Sequence, residues 1–109
     1  MKPEDKNMLE YAAKACGIEL NYWCPTNNAF WCGEYWNPLT NSADCAAMCA
    51  KLAIDTRWYC NGESVTCIQK VDLWPGWSEH TKDHNNDREA AWRYAATMVA
   101  AKIGGFSGD

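Results

Sequence analysis

Thr56-Arg57-Trp58-Tyr59-Cys60-Asn61-Gly62-Glu63-Ser64-Val65-Thr66-Cys67-Ile68 is the stretch on which the fold turns. Asn-Gly between two runs of β-branched and aromatic residues is the strongest short hairpin signal, because both residues accept the left-handed backbone that a tight turn needs. Taken as a two-residue turn, it pairs Cys60 with Glu63 and sets strands over Thr56–Cys60 and Ser64–Ile68. Upstream, Ile18–Trp23 and Ala29–Trp36 flank Pro25-Thr26-Asn27-Asn28, a turn-forming cluster, and this predicts a second antiparallel hairpin.

Helical patterns enclose the hairpins. The first begins at Pro3, with Glu4 and Asp5 at the positive end of the helix dipole. It carries Met8, Tyr11, Ala12 and Ala15 at stripe spacing and stops at Gly17. The second starts at Asn41 or Ser42 and places Cys45, Met48, Cys49 and Leu52 on one face. The third is capped by Asn86 with Glu89 three residues on, and its stripe is Trp92, Ala95, Ala96, Val99 and Ile103 before Gly104-Gly105. The fold class is therefore α+β: one domain over residues 1–109, an antiparallel sheet flanked by helices, in the order α-β-β-α-β-β-α. Pro75 to Asn85 is expected to be an irregular, polar and exposed stretch.

The chain has 109 residues, seven cysteines and seven tryptophans. Seven thiols cannot all pair with one another, and the charged start Met1-Lys2-Pro3-Glu4-Asp5-Lys6 lacks the apolar run of a signal peptide. The expectation is free cysteines in a reducing cytoplasm, buried as small hydrophobes. No apolar run approaches the ~20 residues of a membrane span, so neither a span nor a membrane partner is expected. A net charge of −4 with scattered Lys and Arg argues against direct nucleic-acid binding, which needs clustered cations. A basic protein target remains compatible with it.

Ala15-Cys16-Gly17, then Trp36-Asn37-Pro38-Leu39 with Asp44 and Leu52, then Arg88, Ala90, Ala91 and Ile103-Gly104 carry a resemblance. Together they resemble a group of small tailed-phage and prophage accessory proteins of unassigned role, similar to the phage ABA-sandwich domains. The resemblance implies a helix-flanked sheet, a phage origin and action in the cytoplasm of an infected bacterium. It carries no catalytic residue across. The chain departs from the pattern at Asp44-Cys45, where Asp-Ala is expected, at Cys49, and in the long region from Trp74 to Asp87.

Chemistry-bearing groups point to binding more than to catalysis. Cys60, Cys67, His80 and His84 echo a zinc-finger spacing. A two-residue turn, however, puts Cys67 four strand positions from Glu63, the partner of Cys60, roughly 13 Å away, too far for one tetrahedral ion. Cys45 and Cys49 fit the core stripe better than a chelate. Only Cys45 lies near a helix start, where a thiolate would be stabilised, and nothing in the sequence sets a histidine beside it. No phosphate-cradling glycine loop or serine elbow is present, so no enzyme and no cofactor are expected.

Trp74-Pro75-Gly76-Trp77 reads as two aromatics held by a Pro-Gly turn. With Glu79 and Lys82 it is the expected partner-binding site. The function these residues suggest is a non-enzymatic inhibitor of a host factor, such as a protein of an antiviral defence complex, in the manner of anti-CRISPR or anti-restriction proteins. The alternative is a small-molecule binder, for example a sponge for a signalling nucleotide. There Arg57, Arg88 or Arg93 would meet phosphate, and a symmetric homodimer could complete the site. An exposed, convex Trp74–Trp77 loop would favour the first reading, and an aromatic cleft containing an arginine the second.

Overall fold

The Asn-Gly hairpin forms, but its loop is wider than a two-residue turn. In the computed structural model, which describes residues 2–69 and 75–107, Tyr59 pairs with Ser64, leaving Cys60, Asn61, Gly62 and Glu63 as the connection. Cys60, Asn61 and Gly62 take φ of 52°, 55° and 89°. Three successive left-handed residues coil the loop into a single 3₁₀ turn, Cys60–Gly62, and glycine is the one residue type that adopts the last of these angles without strain. The strands it joins are β4 and β5 of the chain, and the full order is α1 (Pro3–Cys16), β1 (Tyr22–Cys24), β2 (Ala29–Trp31), β3 (Tyr35–Trp36), α2 (Ser42–Leu52), β4 (Ile54–Tyr59), β5 (Ser64–Gln69), β6 (Gly76–His80) and α3 (Arg88–Ile103).

The architecture is α+β, and among the described residues the strands form two separate three-stranded antiparallel sheets, β1-β2-β3 and β4-β5-β6. Each expected hairpin has gained a strand. Ala29–Trp36 is not one strand: it folds back at Cys32-Gly33-Glu34, with Gly33 at φ 95° and the Cys32 N–H donating to the Glu34 carbonyl at 3.0 Å. The stretch expected to be irregular from Pro75 to Asn85 instead supplies β6, which pairs with β5 from Ile68↔Gly76 to Ser64↔His80, followed by a 3₁₀ turn over Thr81–His84. Its polar residues alternate across an edge strand, so low hydrophobicity there reflects edge position rather than loop structure.

Helix boundaries follow the capping chemistry. Asn41 caps α2 by accepting from the Asp44 N–H at 3.1 Å. Asp87, one residue after the expected Asn86, caps α3 by accepting from the Ala90 N–H at 3.1 Å. In α1 the buried side is Met8, Leu9, Ala12, Ala13 and Cys16, so the expected stripe is rotated: Tyr11 faces outward, against Phe106. In α3 there is no stripe. Ala91 and the whole run Ala95–Ala101 are buried, because α3 packs against α1, α2 and all three strands of the β4-β5-β6 sheet. Trp92, expected at the centre of a stripe, is half-buried, and its indole donates to the Thr56 hydroxyl at 3.1 Å. Alanines on every side let the surrounding elements approach closely.

Candidate ligand-binding cleft

The wide hairpin loop lies against the start of α3 and the turn after β6. The Thr81 N–H donates to the Glu63 carbonyl at 2.9 Å, and the Thr81 hydroxyl donates to the Gly62 carbonyl. Arg88, the first residue of α3, donates from its guanidinium to the Asn61 carbonyl at 2.7 Å. Gly62 makes this approach possible: a Cβ there would stand 2.5 Å from the guanidinium. The three segments enclose a cleft of about 470 Å³ lined by Asn61, Gly62, Glu63, His80, Thr81, Lys82, Asn86 and Arg88. Arg88 is also part of a second, shallower concavity whose other wall is Trp58, an exposed indole at 44%.

The cleft's charge is cationic on balance. Arg88 and Lys82 are exposed and neither forms an ion pair with a carboxylate among the described residues, while Glu63 is the one carboxylate in the lining. Arginine presents five N–H donors, and the Asn61 carbonyl is the one acceptor bonded to them here. The arrangement offers forked donors, a flexible ammonium and amide groups in one concavity, with a flat π face on the far side of the arginine.

No protein-family model, curated protein or solved structure matches this chain. The likeness to phage accessory proteins therefore rests on its short motifs alone, and the reading of the site rests on the chain's own geometry.

Of the three arginines singled out in the sequence, the fold brings only Arg88 to this cleft. Arg57 lies on the outer face of β4 beside Asp55 at 3.6 Å. Arg93 is part-buried: its Nε donates to the Leu39 carbonyl and its Nη1 to the Ser42 hydroxyl, both at 2.9 Å, so it ties the α2 start to α3. Trp74 lies outside the described residues. Trp77 does not stand on an exposed turn. It sits on β6 opposite the buried Cys67, half-buried, with its indole N–H donating to Glu79 at 2.7 Å and Lys102 Nζ 5.1 Å from its ring. Glu79 also meets His84 at 2.8 Å, so it is held between two aromatic partners. Lys82 lies in the cleft.

The zinc-finger echo is not assembled. Cys67 pairs with Thr56 on the core face, four positions along β4 from the exposed Cys60, still about 13 Å. His84 turns to Glu79 while His80 lines the cleft. Among the described residues no group of three or more His, Cys, Asp or Glu side chains is placed to hold a metal ion.

The thiols sit where small hydrophobes would. All seven are free, and Cys16, Cys45 and Cys67 are buried. Burial pushes the Cys67 thiol up to about 12 against a weaker opposing hydrogen bond from Thr56. Cys45 is raised by its hydrogen bond with Cys49 and by burial, and Cys49 is lowered by the same bond. Sequence reasoning missed Trp58, Asn61, Gly62 and Thr81 as cleft residues. The Asn-Gly pair was visible, but as a turn signal, and nothing local shows that Thr81 and Arg88 close over it.

Proposed function

We propose that this protein binds a small phosphorylated molecule with a planar base, a nucleotide, in the Arg88 cleft. The observation that carries the reading is a guanidinium without a carboxylate partner, set between a polar cleft that also holds Lys82 and an exposed Trp58 ring. Phosphate takes two parallel N–H donors from arginine, and an indole supplies a stacking surface for a base. A volume of about 470 Å³ fits a ligand of that size. Sequestering a host signalling nucleotide is the form that the phage resemblance would give this activity. The protein-inhibitor reading relied on Trp74 and Trp77 together, and the half-burial of Trp77 makes the cleft the better-supported site.

Calorimetric titration with a panel of mono-, di- and cyclic dinucleotides tests this, with inorganic phosphate and free nucleosides as references. A nucleotide should bind more tightly than either of its parts, and more weakly as salt rises. Arg88→Ala should weaken it by about tenfold or more, as expected for loss of a charge-assisted bond. Failure of every nucleotide to bind at millimolar concentration would end the proposal, and so would equal affinity in a folded Arg88→Ala variant.

A further inference from the structure

The β1-β2-β3 sheet carries a second, independent feature. Its register sets Trp23, Phe30 and Trp36 on one face, where Phe30 and Trp36 are buried in the core. The opposite face presents Tyr22, Trp31 and Tyr35 side by side, one from each strand. Tyr22 is 55% exposed and Tyr35 44%, with Trp31 half-buried between them. The Trp31 and Tyr35 rings meet edge to face, 5.0 Å apart at 67°. The Tyr35 hydroxyl reaches back to the Cys24 thiol and lies close enough to Tyr22 to feel its charge, so the rings form one surface centred on Trp31.

The charge around this surface is one-sided. From Ala15 to Ala50 the sequence has no Lys, Arg or His, and its charged residues are Glu19, Glu34 and Asp44. Asp44 is committed, accepting from the Asn37 N–H at 3.0 Å. Glu19 and Glu34 are exposed, the latter in the turn that leads directly into Tyr35. An anionic partner such as nucleic acid has no cation here to meet its phosphates. A cation is favoured by both the carboxylates and the negative faces of the rings. This sheet already takes one from its own chain, since Lys6 Nζ stands 4.9 Å from the Trp23 ring.

Shape selects among cations. Trp31 and Tyr35 are in mutual contact, which leaves a flat, stepped surface rather than a cage around a methylated ammonium. A planar guanidinium stacks on such a surface and keeps its edge donors for carboxylates and hydroxyls. We propose that the Tyr22-Trp31-Tyr35 face docks a basic, arginine-bearing peptide segment of a partner protein.

The test is an NMR titration of the intact protein that follows the Trp31 indole N–H and the amides of β1 and β2. The probes are a flexible Gly-Ser-Arg repeat peptide, its lysine counterpart, and a version with serine at the arginine positions. The arginine peptide should shift these signals saturably. The lysine peptide should bind about threefold or more weakly, the serine peptide should leave the signals in place, and added salt should weaken binding. Trp31→Leu should reduce the affinity several-fold. Should that variant fail to fold, Tyr35→Leu, at a more exposed ring, carries the same expectation. Equal shifts with the serine peptide would overturn the proposal. So would undiminished affinity in folded Tyr35→Leu, or saturable binding of a proline-rich peptide or neutral oligosaccharide where the arginine peptide fails.

Discussion

Cys67 shows how far a single side chain is governed by its surroundings. A thiol that titrates at 9.0 when unperturbed is held neutral by burial to about 12. The folded state therefore keeps its proton more tightly than the unfolded chain. Its contribution to stability is fully present below pH 9 and is lost as pH rises towards 12, by about 1.4 kcal/mol per pH unit. Cys16 and Cys45 are raised too and act in the same direction. Urea midpoints should stay level up to about pH 9 and then fall, and Cys67→Val should flatten part of that fall. A midpoint that holds through about pH 11 would show that these thiols are solvated. Cysteine burial was legible in the sequence. Trp58 was not: a tryptophan in a strand suggests core, yet this one lies at the sheet's end where no helix covers it.

At the scale of elements, local signals were read well and packing was not. The Asn41 cap, the Gly17 stop and both turn clusters produced the elements they suggested, because each acts within a few residues. The third strand of each sheet was missed, since β3 has two residues and β6 is polar, and neither leaves a periodic trace. The stripe of α3 was misread for a related reason: six alanines scattered around a helix support burial on any side. One consequence is measurable at its end. A Cβ at Gly104 would fall on the Tyr11 carbonyl, where α3 closes against α1, and backbone cannot step aside as a side chain can. Gly104→Ala should destabilise by about 1–3 kcal/mol in chemical denaturation, the usual cost of overpacking. An unchanged midpoint would mean that the two helices are looser than the geometry has them.

For the whole molecule, α3 is the hub. It touches α1, α2 and every strand of the β4-β5-β6 sheet, whereas the β1-β2-β3 sheet joins the core mainly through Phe30 and Trp36. Strands of two or three residues with solvent on one face open at low cost. Hydrogen exchange should therefore find the amides of α3 and β5 most protected and those of β1 to β3 exchanging earlier, by local opening. Uniform protection across both sheets would contradict this. No helix among the described residues is long and apolar enough to cross a membrane.

The contact between Arg88 and the Asn61 carbonyl ties two equilibria together. The guanidinium that holds the left-handed loop in place is also the group a phosphate would engage, so loop order and ligand occupancy draw on one set of donors. A ligand that takes only the free donors leaves the loop closed and binds to a prepared surface. A ligand that displaces the carbonyl must release the loop, and its measured affinity is lowered by whatever that bond contributes, about 1.5–3 kcal/mol for a hydrogen bond to a charged group. Selectivity between ligands of similar charge could then be decided by the hairpin, through the tension it keeps on one arginine.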